Sequence, residues 1–444
     1  MPIVTKLIET IILIKCPEIT DHGPAQFGFT PRSSTIHAET IIKDTIKYYN
    51  DKGSPVYICS LDAEKAFDCC SWLKLFQKLH DQNTLPKPVL RTLIQLYTKG
   101  DASVRYQSET SSPFNLSQGV RQGSVLSPHL YNFYTKDIIK GIRAMNSGTC
   151  LNKMNTSIVA FADDIILLSS TLKGLQDMVD RCVQLGKEHL IKFNDKTQFV
   201  ISGKSMFMNP TITVNGATIK PKQNLIHLGF NWGLSNSGYL TLRHHKNDRI
   251  NKLWATTATL VSSGIRKLHP KSIATIYQSV VVPQLLYGLE IVDMTRSELN
   301  QLDIQGRVCL KSLLGLSKFC KNYVMNVFDQ MEISSIIVNR RAQLLQQLIN
   351  NNLTREYTID LFTQQDTNYS VLESLLIACQ ELKLDALSVV VTGIEKQSLN
   401  HGPTPRNRDQ NEIDASIMLL ANWHILSNRV KFRELAESEV KRAS

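Results

Sequence analysis

The chain has 444 residues, 42% of them hydrophobic and 20% charged, an ordinary globular composition with length enough for roughly two or three domains. Its 50 Lys and Arg against 39 Asp and Glu leave a net charge of +11, which favours an anionic partner, nucleic acid ahead of a membrane surface, while leaving open a basic protein with no such partner. Nine cysteines without a CxxC pair or a Cys/His cluster at zinc spacing read as reduced thiols of an intracellular protein, and the lack of an internal repeat excludes a solenoid.

The opening MPIVTKLIETIILIK is too short an apolar run to span a bilayer and has no small-residue cleavage site, so neither anchor nor signal peptide is expected from it. After a loop around GPAQFGFTPRSST, a helix is predicted from Thr35 to Tyr49, capped by Ser33 or Ser34. The run VYICSL, Val56 to Leu61, reads as a buried strand ending at Asp62, and AEKAFDCCSWLKLFQKLHDQ behind it has helical periodicity. Residues 103–117 predict a hairpin, and a helix follows from Pro128 to Arg143. SIVAFADDIILLSS is two apolar runs around Ala162-Asp163-Asp164, a hairpin with acids at its tip. A helix from Thr171 to Leu190, a strand through KTQFVISG and a hairpin from Thr211 to Leu228 come next. Beyond Gly238 the pattern is helical, with a domain change near residue 235, a buried helical pair from Ile273 to Val292, and a polar linker, NHGPTPRNRDQ, at 400–410.

Carboxylates at strand ends are the natural ligands of a pair of Mg²⁺ ions, one activating a hydroxyl and one holding a triphosphate. Asp62 closes one strand and Asp163-Asp164 crowns a hairpin; if those strands lie side by side, the three acids converge. The competing explanation is plain turn chemistry, since Asp tolerates a tight bend. Against it stand Ile158, Val159, Phe161 and the run Ile165 to Leu168, which bury the strands and would leave the acids in apolar surroundings, where clustered like charges need a cation or raised pKa values.

These residues resemble a known family. LDAEKAFD at 61–68 is similar to reverse transcriptase motif A, SQGVRQGSVLSPHLYN at 117–132 to motif B, and FADD at 161–164 to the F/Y-x-DD box of motif C, in the family's order. QFGFTPRSST at 26–35 resembles its fingers motif, FNDKTQFVISG at 193–203 its motif D, and HLGF at 227–230 its primer grip. VVVPQLLYGLE at 280–290 is similar to the thumb of LINE-type enzymes, which points to non-LTR retrotransposons rather than to retroviral or group II intron relatives. The resemblance covers roughly residues 20–350.

It implies an α+β right-hand polymerase fold: partial fingers over 1–55, an antiparallel palm sheet over 56–235, a helical thumb over 236–320 and a helical C-terminal extension over 321–444. It implies that Asp62 and Asp163 ligate two Mg²⁺ ions, with Mn²⁺ as substitute, and that Asp164 supports them near the primer end. Ala63, Glu64, Lys65 and Ala66 would run under the triphosphate at a helix start. Phe67 would be the steric gate against a ribose 2′-hydroxyl, or else a core ring. Gln122 and Gly123 would pack on the incoming nucleotide, with Arg121 reaching a phosphate or the template. Lys196 would protonate the leaving pyrophosphate, unless it merely closes a helix at the surface. Gln26, Phe29 and Arg32 would hold template and nucleotide, and His227, Leu228 and Gly229 the primer. The implied partners are an RNA template, a DNA primer and dNTPs, with no membrane, and the implied place is the nucleus.

The sequence also departs from that pattern. An endonuclease and the upstream RPIS motif of full-length relatives are not seen before MPIVTKLIE, so an N-terminally truncated chain is expected, and the Cys/His knuckle of some relatives is missing. NRRAQLLQQL and NRVKFRELAESEVKR could grip phosphates or be solvated helix faces. Two alternatives stay open: a catalytically silent nucleic-acid-binding remnant, and a group II intron-like maturase.

Overall fold

Packing divides the chain into two units. The first holds the residues up to Ala38, Tyr49–Leu151 and Asn155–Leu225; the second holds Glu39–Tyr48, Asn152–Met154 and the chain from Ile226 onward. The structure, a computed structural model, describes residues 3–358 apart from 195, 206 and 208, together with 374, 377 and 378. The expected linker at 400–410 and the segment NRVKFRELAESEVKR lie outside the described residues.

The first unit is built on a four-stranded antiparallel sheet in the order Gln198–Ser202, Val56–Leu61, Asp164–Ser169, Ile158–Phe161. VYICSL is central, with a neighbour on either side, and every residue of it is buried, which is why it reads as a continuous apolar run rather than an alternating one. Helices Ser127–Arg143 and Leu172–Glu188 pack on this sheet, and Thr171 caps the second by accepting the Gly174 N–H at 3.1 Å. The free edge of Ile158–Phe161 is covered by the loop at Gln26: Phe27 N–H donates to the Ala160 carbonyl at 2.8 Å, and Ala160 N–H to that of Ala25 at 2.8 Å. Gly28 is glycine by necessity, since a Cβ there would stand 2.2 Å from the Ala162 nitrogen.

One expected helix starts late. Residues 63–70 are a bridge and a run of turns, and the helix begins at Trp72, where Ser71 accepts the Lys74 N–H. The cause is pairing beyond the strand end: Ala63 bridges to Phe193, Glu64 N–H donates to the Lys192 carbonyl at 2.8 Å, and Lys65 then turns left-handed at φ +44°. The hairpin at 103–117 forms as two short pairs, Asp101–Ala102 with Phe114–Asn115 and Arg105–Tyr106 with Glu109–Thr110. The expected hairpin at 211–228 is two: Ile212–Val214 turns through Asn215-Gly216 into Ala217–Ile219, and Asn224–His227 turns through Leu228-Gly229 into Phe230–Leu234. Both central residues of each turn have positive φ, the handedness that suits a twisted two-residue hairpin.

The second unit carries that last hairpin and the helices Arg243–Ser262, Arg296–Leu313 and Ile333–Asn350. The expected buried pair at 273–292 is a helix Pro270–Ile276 that passes through a π-helical turn, Tyr277–Val281, into Val282–Leu286. Pro283 has no N–H to give and accounts for the loosened turn before it. Within this unit the centre of the Thr35–Asp51 helix supplies buried polar groups: Glu39 accepts from Trp232 Nε1 at 2.9 Å and pairs with His227 Nδ1 at 2.6 Å, and Lys43 pairs with Asp293 at 2.6 Å. Among the described residues no helix is long and apolar enough to cross a membrane.

Candidate active site

The sheet register brings the distant acids together. Leu61 lies opposite Ile165, so Asp62, the next residue, leaves its strand beside Asp164, while Phe161 faces Asp164 across the turn that Ala162 and Asp163 make. Ala162 takes φ +58°, an unfavourable left-handed conformation for a residue with a Cβ. Burial pushes the Asp163 carboxyl above the usual carboxylate range, and the charge of Asp62 adds to the rise. Among the described residues no three His, Cys, Asp or Glu side chains close around one point, so a pair whose charges meet, Asp62 and Asp163, is what the geometry supplies. Two hard oxygen donors whose mutual repulsion a cation relieves fit a divalent metal.

Asp62 is further held by Asn194, which donates from Nδ2 to Asp62 Oδ2 at 2.8 Å and from its backbone N–H to the Asp62 carbonyl at 3.0 Å. The Asn194 Oδ1 accepts the Lys196 N–H at 2.8 Å, so one side chain ties the strand-end acid to the loop bearing the exposed Lys196. The tip of the FADD turn is held by Gln26. Its Oε1 accepts from Ala162 N–H at 2.8 Å and Gly28 N–H at 2.9 Å, and its Nε2 donates to the Ala162 carbonyl at 3.1 Å.

The motif A turn and the motif B loop pair directly. Val120 N–H donates to the Phe67 carbonyl and Gly119 N–H to that of Cys70, each at 2.8 Å, and Trp72 Nε1 donates to the Gly119 carbonyl at 2.6 Å. The half-buried Phe67 ring stacks on Tyr131 with centroids 4.7 Å apart, and the exposed Phe29 meets it edge-on at 6.2 Å. Gln122 and Gly123 are exposed, and Gly123 sits at φ +77° with open space where a Cβ would stand; glycine is needed there for its backbone. The far side of the loop is fixed by Glu9, the lone acid of the helix Ile3–Lys15 and buried, whose Oε2 accepts from Ser124 Oγ at 2.8 Å and Val125 N–H at 2.9 Å.

Several expected contacts are placed differently. Gln26 is buried with its amide committed to Ala162 and Gly28, so it braces the acids rather than touching template. Arg121 turns inward, donating to the Leu96 carbonyl near the end of a helix and lying 5.3 Å from the Tyr97 ring. The segment Ala63, Glu64, Lys65, Ala66 is not a helix start; Ala63 and Ala66 are buried, and Glu64 has its N–H on Lys192 and its carboxylate 3.4 Å from the Lys192 ammonium. Arg32 is exposed at φ +60°.

In the second unit His227 is buried against Glu39, and the hairpin ends in a half-buried Leu228 and an exposed Gly229. Tyr287 donates its hydroxyl to the Leu228 carbonyl at 2.7 Å, and Arg249 donates to that of Gly229 at 2.9 Å while stacking over the Tyr287 ring at 5.1 Å. Phe230 stacks on His245, whose Nε2 meets the Tyr287 carbonyl at 2.8 Å. Thus the LLYG text and the HLGF text are one structural element.

Residues 1–232 match the family described as reverse transcriptase (RNA-dependent DNA polymerase), and the chain belongs to it. It is 26% identical over 332 residues, 71% of this chain and 35% of the relative, to the RNA-directed DNA polymerase from mobile element jockey of Drosophila funebris. It is 25% identical over 202 residues, 46% of this chain and 19% of the relative, to the Pol polyprotein of the type-2 retrotransposable element R2DM of Drosophila melanogaster. A telomerase structure from Candida tropicalis aligns with 93% of this chain and 56% of its own at 10% identity and a TM-score of 0.40, too loose a superposition to decide anything. The chain spans about a fifth to a third of the length of these two retroelement relatives. Members of the family generally use divalent metal ions and bind a nucleic-acid template.

Proposed function

We propose that this chain is an RNA-directed DNA polymerase of a non-LTR retrotransposon, adding dNTPs to a primer 3′ end against an RNA template. The observation that carries the reading is the register of Leu61 on Ile165, which sets Asp62 beside the Asp163-Asp164 turn in a chain of this family. Asp62 and Asp163 would hold two Mg²⁺ ions, or Mn²⁺ in their place, and the bound metal supplies charge stabilisation at the triphosphate and a more acidic primer hydroxyl. Asp164, at the same turn, would support them near the primer end. Phe67, backed by Tyr131, forms a flat wall that a deoxyribose clears and a 2′-hydroxyl does not. Gln122 and Gly123 face the base, and the exposed Lys196 is free to bring a proton to the departing pyrophosphate oxygen. The Leu228-Gly229 turn supports the primer strand. Priming on chromosomal DNA would place the work in the nucleus.

The test is primer extension on an RNA template with the parent and Asp163→Ala. Incorporation by the parent that is lost in the variant supports the reading, and equal incorporation by both removes it. Tight, salt-sensitive binding of primer–template with no extension by the parent would mark a silent remnant.

A further inference from the structure

Two stretches of the second unit, residues 263–272 and 311–322, contain no Asp or Glu. They are tied together: Arg266 donates from Nε at 3.2 Å and from Nη2 at 2.9 Å to the Ser312 carbonyl. The loop that follows the Arg296–Leu313 helix is built around Lys311. That side chain is buried, and its ammonium donates to the carbonyls of Lys318, at 3.3 Å, and Cys320, and to Asn322 Oδ1 at 2.9 Å. A chain wrapped around a buried ammonium in this way has a fixed shape, because unwrapping it gives up three hydrogen bonds to one charged group.

What the fixed loop displays is unusual for a surface. Phe319 is 84% exposed, with the Lys318 ammonium 5.1 Å from its ring, and Lys321, Arg266, Lys267 and Lys271 are exposed as well. An aromatic face among cations, with no acid in either contributing stretch, is the chemistry of single-stranded nucleic-acid recognition: bases stack on the ring and phosphates meet the charges. A protein surface would have to be acidic and apolar at one spot to match it.

We propose that this knuckle, residues 315–322 with Arg266 and Lys267, is a binding site for a single strand of nucleic acid, built wholly from residues of the second unit. Phe319 stacks on an unpaired base, and Lys318, Lys321 and Arg266 take the neighbouring phosphates. RNA and DNA share that chemistry, so the strand's identity is left to the experiment.

The test uses the full chain carrying Phe319→Trp, titrated at low salt with oligothymidylate, with oligouridylate and with heparin, a polyanion without bases. Saturable quenching beyond that of the parent chain, which already holds four tryptophans, is expected with the oligonucleotides but not with heparin, and the tighter of the two identifies the strand. Phe319→Ala should weaken binding roughly 5- to 150-fold. Lys318→Ala with Lys321→Ala should lower the slope of log affinity against log salt by about one to two. Unquenched emission, quenching by heparin alike, or parent-like binding by Phe319→Ala would overturn the site. The Asp163→Ala chain should bind at the knuckle like the parent, so failure here is distinguishable from failure of the polymerase reading.

Discussion

Gln26 grips both backbone polar groups of Ala162, accepting the Ala162 N–H at 2.8 Å and donating to the Ala162 carbonyl at 3.1 Å. Ala162 is the left-handed residue before the two acids, so the side chain of a loop more than a hundred residues earlier fixes the angle at which Asp163 leaves its strand. Gln26→Ala should therefore lower kcat while leaving the KM for primer–template near the parent's. It should also lower stability by about 1–3 kcal/mol, the cost of leaving buried donors and acceptors unmade. Steady-state kinetics with a thermal melt checks both; a pure KM effect would point to a strand contact instead.

Asp62→Asn and Asp163→Asn should each lower incorporation on the order of a thousand-fold, the several kcal/mol that a lost metal contact removes. At Asp163 the folded protein should not suffer. Burial and the Asp62 charge raise the Asp163 carboxyl, so its ionised form costs stability at neutral pH, and Asp163→Asn should melt no lower than the parent in metal-free buffer.

Phe67→Ala removes the ring that stacks on Tyr131 at 4.7 Å. Discrimination against ribonucleotides should fall roughly 10- to 200-fold, the range open to a purely steric pocket. Single-nucleotide incorporation of dNTP against rNTP measures it, and a loss of dNTP incorporation with unchanged discrimination would make Phe67 a core residue only.

Asp44 is buried against the Tyr357 hydroxyl, and its carboxyl is pushed up to about 6, chiefly by burial. A carboxylate raised in the folded state favours folding most when protonated, and that advantage is lost as pH climbs from about 4 through about 6. Asp44→Asn should remove this dependence and exceed the parent in stability above pH about 6, by a few kcal/mol at about 1.4 per pKa unit. Denaturant melts across that window decide it.

Much of the architecture could be read from residue order alone. The strand Val56–Leu61, the FADD hairpin and the helix starting near Pro128 are local patterns, each dictated by its own run of apolar residues and turn formers. What escaped the reading depends on partners far away in the chain. The helical periodicity after Asp62 was overridden because Phe193 and Lys192 pair with Ala63 and Glu64, a contact no local window contains. Arg121 looked outward until Leu96 and Tyr97 offered it a carbonyl and a ring. Glu9 and Asn194 escape the reading too, although the lone acid of the helix Ile3–Lys15 and an Asn two residues before Lys196 are visible signals.

Leu228 occupies a left-handed backbone position at φ +47°, where a leucine costs roughly 1–2 kcal/mol. Asparagine or glycine would sit there at ease, and Tyr287 would grasp the same carbonyl whichever residue supplied it. The molecule thus spends heat resistance to keep an isobutyl group at the end of that finger. A variant such as Leu228→Asn should prove the sturdier protein and the poorer tool.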